Sequence, residues 1–454
     1  MRSPAEEVWS SFQKCVLALA ALAFTVDGLA NQVLGLALPA LIRDWAIPRE
    51  AFAPVAACGL IGVALGTALG GVLGDRRGRR VGLIGSLLLF GLMTSGAALA
   101  HGPTSLIVLR FLSGLGIGGA LPNGAALIFE FTPARHRAGA IALSMTFIPV
   151  GGVLSGVLGA AILPVWGWRG LFLVSGLLPI LLAAVFVFAL PESPRFLARF
   201  AHRQAELAAL LRRCGHADDA SSTLLAERGH AVLRTPLAAL FGSGMLPDTV
   251  ALWVAFFFCL LASYTLFSWV PTLLMGAGFP LSMTSLGMTA FNLGGMVGGV
   301  TGGWLIARLG SRLAMLGLAG GATAGAVALG VLPLDAHATA LALGALSIEG
   351  FFIGGLHNGL YTVAAFLYPP FVRATGIGAA AGVGRIGAVL SSFTGVLTMK
   401  LGGPSGYFLV VAAACALSFI ASQLLRQHVP RHARAAGRGG KPGALAADGE
   451  RGSL

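Results

Sequence analysis

Runs of about 20 mostly apolar residues, each long enough to cross a bilayer as a helix, recur along nearly the whole chain and are separated by short polar joints. Twelve are expected, at approximately 15–38, 51–73, 81–100, 104–130, 138–164, 169–190, 249–275, 283–307, 312–333, 337–367, 374–398 and 405–425. Within hydrocarbon a single helical segment satisfies all its own backbone N–H and C=O groups, so runs of this length read as spanning helices. Only 10% of the 454 residues are charged, against the roughly one quarter usual in soluble domains. Lipid is therefore the solvent, and the expected fold class is all-α integral membrane with twelve transmembrane helices.

The net charge of +13 does not call for nucleic acid, because the positions of the cations explain it. Arg43, Arg49, Arg169 and Lys400 fall in joints on one side, Arg110 and Arg385 fall within spans, and the remaining Lys and Arg lie on the other side. The positive-inside rule makes that other side the cytoplasm, with both termini and the long central loop facing it. The five cysteines are scattered, without pairing or metal-ligand spacing, and no metal site is expected. The first run is too long for a signal-peptide core and no small-residue cleavage site follows it, so it is read as a retained span.

An internal repeat sets the architecture. Gly62, Gly66, Gly70 and Gly71 of span 2 recur as Gly294, Gly298, Gly302 and Gly303 of span 8, each 232 residues later, and Arg76, Gly78 and Arg80 recur as Arg308, Gly310 and Arg312. Pro133 and Arg137 recur as Pro369 and Arg373 at an offset of 236. Two copies of a six-span unit follow: an N-terminal bundle over 1–190 and a C-terminal bundle over 249–426. Between them, 191–248 is expected as a cytoplasmic loop with helices lying between the halves, and 427–454 as a disordered basic tail. Glycines four apart make a smooth stripe that lets backbones approach closely. Repeated in both halves beside a charged joint, the stripe suggests a sliding interface, with ordinary tight packing as the competing reading.

The joint after span 2 reads Gly74-Asp75-Arg76-Arg77-Gly78-Arg79-Arg80, and span 4 ends in Glu130-Phe131-Thr132-Pro133-Ala134-Arg135-His136-Arg137. Arginines around one acid, near a second acid on a neighbouring helix end, are expected to lock one conformation. The proposed members are Asp75, Arg76, Arg80, Glu130 and Arg137. Topogenic charge alone accounts for the arginines but leaves the two acids unexplained.

That joint resembles the signature loop of the major facilitator superfamily, and its echo at Arg308 to Arg312 carries Ala307 where the acid is expected. Val26-Asp27-Gly28 in span 1, Arg110 through Asn123 in span 4, Leu190-Pro191-Glu192-Ser193-Pro194 after span 6, and the stretch from Tyr368-Pro369-Pro370 to Gly384-Arg385-Ile386-Gly387-Ala388 resemble the aromatic acid:proton symporters. The resemblance implies two pseudo-symmetric bundles, alternating access, and import of a benzoate, hydroxybenzoate or phenylpropionate type of anion with protons. It implies no enzymatic activity and no cofactor beyond the proton gradient. A monomer in the bacterial inner membrane, in contact with lipid, is the expected setting. Relatives usually carry a second Asp three residues after the first, where this chain has Ala30, with Asn31 and Gln32 nearby.

Charged groups at membrane depth are costly and functional by default. Asp27 lies about 18 Å into span 1 from one side and Arg110 about 9 Å into span 4 from the other, at 1.5 Å per residue, so the two are expected at similar depth and as a pair. An anionic substrate competing for that guanidinium would release the aspartate to take a proton. Arg385 near the middle of span 11 suits a carboxylate through two parallel hydrogen bonds. Glu349 of span 10 is expected as a second titratable group or a partner of Arg385, with His357 and Asn358 two turns further in. Tyr264, Phe267 and Trp269 of span 7 offer an aromatic wall, although packing roles compete. The expected proton-coupling residues are thus Asp27 and Glu349. The expected substrate contacts are Asn31, Arg110, Tyr264, Trp269, His357, Asn358 and Arg385.

Gly114, Gly116 and Gly119 spell a dinucleotide fingerprint, but they lie inside an apolar span with no strand before them. Pro191 through Arg195 also fits a sugar or other metabolite permease, a reading that two cavity arginines oppose. Pro149-Val150-Gly151-Gly152 only loosely matches a drug-exporter signature, and a transporter-like sensor lacks any interaction motif in loop or tail.

Overall fold

The computed structural model describes residues 9–133, 136–215, 240, 245–332, 338–369 and 372–430. The spanning helices are α1 (Ser11–Trp45), α2 (Ala53–Arg77), α3 (Arg79–Gly96), α4 (Pro103–Phe131), α5 (Arg137–Met145) running into α6 (Phe147–Ala189), and, after the short α7 (Pro194–Leu197) and α8 (Gln204–Arg213), α9 (Leu246–Gly276), α10 (Leu281–Leu309), α11 (Ser311–Val331), α12 (Thr339–Leu367) and α13 (Arg373–Gln423). The two longest are each two spans joined without a loop. Gly167 (φ 63°, ψ −166°) breaks α6 and Gly403 (φ 58°, ψ −153°) breaks α13, at backbone angles that a side chain would oppose. Divided there, the described residues contain twelve spanning segments in the expected order. The two breaks are themselves 236 residues apart, so the repeat governs even the turns.

The outer surface is apolar as lipid requires: Leu99, Phe188 and Val331 are each at least three-quarters exposed. Within each half the glycine stripes close one seam. A Cβ on Gly62, Gly66 or Gly70 of α2 would meet the backbone of Phe111, Leu115 or Gly119 of α4, and one on Gly294, Gly298 or Gly302 of α10 would meet Ser347, Phe351 or Gly355 of α12. The stripes therefore bind helices of the same half. The expected sliding interface is not there, and tight packing is what the glycines serve. Arg137 Nε donates to Thr132 O at 3.1 Å, and its repeat mate Arg373 does the same to Tyr368 O at 3.1 Å.

Among the described residues the halves meet chiefly along α1 with α9, α2 with α13, and the first part of α6 with α10, and α1 also touches α10. All lie towards the face opposite the basic joints. Leu60 of α2 inserts among C-terminal-half residues including Leu260 and Ala388, and Gly152, Gly156 and Gly159 of α6 face Asn292, Thr289 and Ser285 of α10. Gly71 and Gly303, three turns along the same helix faces from Leu60 and Asn292, have no neighbouring atom within 4 Å of a built Cβ. The two halves are joined at the opposite face and part towards the basic face.

The basic joint is a clasp of the N-terminal half rather than a contact between halves. Asp75 pairs with Arg79, and Arg199 donates to Asp75 O at 2.6 Å. The backbone N–H of Arg80 donates to Glu192 at 3.1 Å, and its guanidinium donates to Val187 O. Ser193 donates to Glu130, while Arg137 stacks on Phe129 at 4.5 Å and Arg76 is exposed. The acid missed from sequence is Glu192, which lay in a stretch read only as a family marker. Of the central loop, 216–239 and 241–244 lie outside the described residues. The described α7 and α8 pack Leu197, Leu207 and Leu210 onto Val16, Leu83 and Phe186, beneath the N-terminal half and not between the halves. Tail residues from 431 onward also lie outside the described residues, but Val429 exchanges hydrogen bonds with Ser311 at 2.8 and 3.0 Å.

Candidate substrate and coupling site

A cavity opens where α1, α2, α4 and α9 converge, so both halves build its wall. Its polar groups are Asn31, Arg110, Tyr264 and Ser268, and apolar or small residues such as Leu34, Gly59 and Ile117 supply the remainder. Gly59 of α2 lies beside Arg110, where a Cβ would make ordinary contact at 3.7 Å from Nε. Arg110 is only 7% exposed, and its Nε and one terminal nitrogen have no hydrogen-bond partner. A buried guanidinium with open donors in a hollow that mixes polar and apolar groups is suited to a planar anion.

Asp27 does not pair with Arg110. It lies on α1, 3% exposed, and the cation within its electrostatic reach is Arg385 of the other half. Among the described residues no direct ion pair closes that gap. Arg385 instead donates to Tyr264 Oη at 2.9 Å, with its guanidinium 6.0 Å from that ring's centre. The expected pairing failed because depth along two helices says nothing of the direction each side chain takes around them. Asn31, one turn beyond Asp27, donates from Nδ2 to Asp27 O at 2.9 Å.

His357 lies near Arg385, its Nε2 buried without a partner and its ring 5.4 Å from that of Tyr361, a neighbour the sequence reading missed. Asn358 is exposed and leans over Gly299, in the parted region. Two expected residues are elsewhere. Glu349 is fully buried with neither oxygen hydrogen-bonded, against Gly325 of α11 and near Cys415, and does not partner Arg385. Trp269 is fully buried against Gly395 and does not line the cavity.

One constellation at the junction escaped sequence reasoning. Gln32 Nε2 donates to Asn292 Oδ1 and Asn292 Nδ2 donates to Gln32 Oε1, both at 2.8 Å, across the two halves. Both residues are about 95% buried, over Gly152, where a Cβ would lie 2.3 Å from Asn292 and 2.6 Å from Gln32. A polar residue just before the glycine stripe of span 8 was the available signal for Asn292.

Two six-helix halves around a cavity that both of them line, and that is closed towards one face only, define a membrane carrier. The chain belongs to the Major Facilitator Superfamily, whose family model matches residues 20–392. It is 33% identical over 418 residues to the gallate transporter of Pseudomonas putida, covering 91% of this chain and 92% of that protein. It is 33% identical over 400 residues to the 4-hydroxybenzoate transporter PcaK of Pseudomonas aeruginosa (87% and 88% covered), and 30% identical over 380 residues to the 3-(3-hydroxy-phenyl)propionate transporter of Escherichia coli (84% and 85% covered). Among solved structures, the inward open conformation of the xylose transporter XylE from E. coli superposes with a TM-score of 0.73 at 17% identity, over 90% of this chain and 95% of that one. At that identity the likeness is one of fold.

Proposed function

We propose that this transporter carries a small aromatic carboxylate together with protons into a bacterial cell across the plasma membrane. The observation that carries the proposal is the buried Arg110 guanidinium, two of its nitrogens unpartnered, in a cavity walled by both halves. Arg110 takes the carboxylate and the apolar wall takes the ring. Asp27, facing Arg385 across the junction, carries the proton, and Tyr264 holds Arg385 in place until the halves rearrange. The basic face is cytoplasmic under the positive-inside rule, so the state described is open inwards. The curated relatives are named for gallate, 4-hydroxybenzoate and 3-(3-hydroxy-phenyl)propionate, which supports the substrate class. Because one chain completes the cavity, a monomer suffices.

Uptake of radiolabelled 4-hydroxybenzoate into proteoliposomes, with and without an acid-outside pH gradient, tests the proposal. Gradient-driven accumulation is expected, with Arg110→Gln raising KM by about 10- to 150-fold, the worth of one charged hydrogen-bonding partner at roughly 1.5–3 kcal/mol. Uptake restricted to neutral solutes, or indifferent to the gradient, refutes it.

A further inference from the structure

The segment that follows the last span repeats the one that follows span 6. At the offset of 236, Gly167, Gly170, Phe172, Leu173 and Val174 recur as Gly403, Gly406, Phe408, Leu409 and Val410, and Pro194 recurs as Pro430. The same register sets His428 opposite Glu192. In the N-terminal half, Glu192 accepts from the backbone N–H of Arg80, in the joint after span 2. The echo of that joint cannot form the same ion pair, because Ala307 and Ser311 stand opposite Asp75 and Arg79. Ser311 binds the returning chain instead. Its N–H donates to Val429 O at 3.0 Å, its Oγ accepts from Val429 N at 2.8 Å, and His428 Nδ1 lies 3.3 Å from the same Oγ. Arg426 N donates to Asp248 Oδ1 at 2.6 Å, in the first turn of α9. Ser311 and Asp248 are buried, and Leu425 and Val429 pack on the core of this half. We propose that residues 425–430 are the clasp of the C-terminal half, and that His428 is a proton site that releases it when the basic side acidifies.

An imidazole in place of a carboxylate changes what the clasp responds to. Histidine is the side chain whose ordinary charge change falls between about pH 5 and 8. The groups facing this ring are Arg312 of α11, Asp248 of α9 and the carbonyl of Leu425. Burial, and after it the Arg312 guanidinium, hold the imidazole below its ordinary value, against the pull of the Leu425 carbonyl and Asp248. Its Nε2 is buried without a partner, so a charged ring would set a second cation beside Arg312 and a donor where no acceptor lies. The freed segment takes up the proton near the ordinary value of about 6.5, and the clasped one only at lower pH. The clasp is therefore complete above that value and loses stability as pH falls below it. It ties the first turns of α9 and α11 to the chain leaving α13. One half of the carrier is thus bound at its basic face by a contact that answers to pH.

Hydrogen exchange of the full-length protein in nanodiscs, read by mass spectrometry at about pH 7.5 and about pH 5.5 and corrected for the intrinsic chemical rate, tests this. The reporting amides are those of Ser311, Arg426 and Val429, with that of Arg80 as internal control. All four are expected to be protected at the upper pH. At the lower pH the first three are expected to lose about tenfold in protection, within the range for one stranded buried donor, while Arg80 keeps its own. His428→Gln, neutral throughout, is expected to stay protected at both. Wild-type amides that are unprotected at the upper pH, protection that does not fall, or an equal fall at Arg80 overturns the proposal, and these results stand whether or not the variant folds. A fall of wild-type size in His428→Gln overturns it too, since another group would then be the sensor.

Discussion

The Gln32–Asn292 pair makes a prediction with an unusual sign. The two amides exchange two hydrogen bonds at 2.8 Å across the seam that closes the opposite face. Replacing Gln32 by Leu removes both and leaves the buried Asn292 oxygen bare, although its Nδ2 keeps a bond to Met288 O at 2.7 Å. Stranding one buried polar group costs about 1–3 kcal/mol, and opening the seam relieves it by admitting water. The balance between the described state and the state open to the opposite face therefore shifts by roughly 5- to 150-fold towards the latter, at 1.4 kcal/mol per tenfold. Asn292→Leu shifts it the same way. The double Leu variant strands nothing in the closed seam and restores closure, because replacing both partners with apolar groups of similar shape is close to neutral. Spin labels at Val165 and Leu401, 75% and 78% exposed on opposite halves of that face, report the distance in a background lacking Cys15 and Cys58. Each single variant should populate a longer distance that the double variant loses. Additive lengthening in the double variant would refute the reasoning, since the amides would then be acting separately.

Two other outcomes follow from the packing and from the charges. Gly66→Ala places a Cβ 2.2 Å from Leu115 O, which no side-chain rotation relieves, whereas Gly71→Ala meets nothing within 4 Å; thermal unfolding of the purified protein should show the first destabilised by about 1–3 kcal/mol or more and the second unchanged. Asp27→Asn keeps the shape of a residue that is 3% exposed and removes its charge, so substrate counterflow in proteoliposomes should persist while accumulation driven by a pH gradient is lost; accumulation at the wild-type level would remove Asp27 from coupling.

What the sequence disclosed was governed by period and repetition, and what it concealed was governed by direction. Span length and the 232-residue offset located the helices, because lipid demands length and a duplicated unit repeats its turns. The same offset hid the role of the glycine stripes: a repeat states that two helices are alike, but not which neighbour each one faces. Arg110 and Arg385 were legible as candidates because charge at membrane depth needs a reason. Their partners were not, since a guanidinium reaches far from its Cα in any direction around the helix. Trp269 was expected at the cavity from a local pattern, but Gly395 on a helix more than a hundred residues away opens the slot that buries it. Asn292 carried no motif and acquired significance only from Gln32, across the full length of the fold.

The repeat also separates scaffold from chemistry. Residues that keep their identity between halves, among them Gly62 with Gly294, Gly167 with Gly403 and Arg137 with Arg373, hold backbones together or turn them. Residues of the cavity and the closing seam do not keep it. At the offsets that relate the spans, Asp27 stands opposite Cys259, Arg110 opposite Leu346, Arg385 opposite Pro149, and Asn292 opposite Leu60. Gln32 stands opposite Tyr264, so the position that joins the two halves through an amide holds Arg385 through a phenol within the C-terminal half. Two symmetric halves closing on a symmetric cavity would offer an anion two equivalent poses and a proton no unique carrier. Charge placed on one member of each related pair makes the cavity asymmetric in a fold whose scaffold is not.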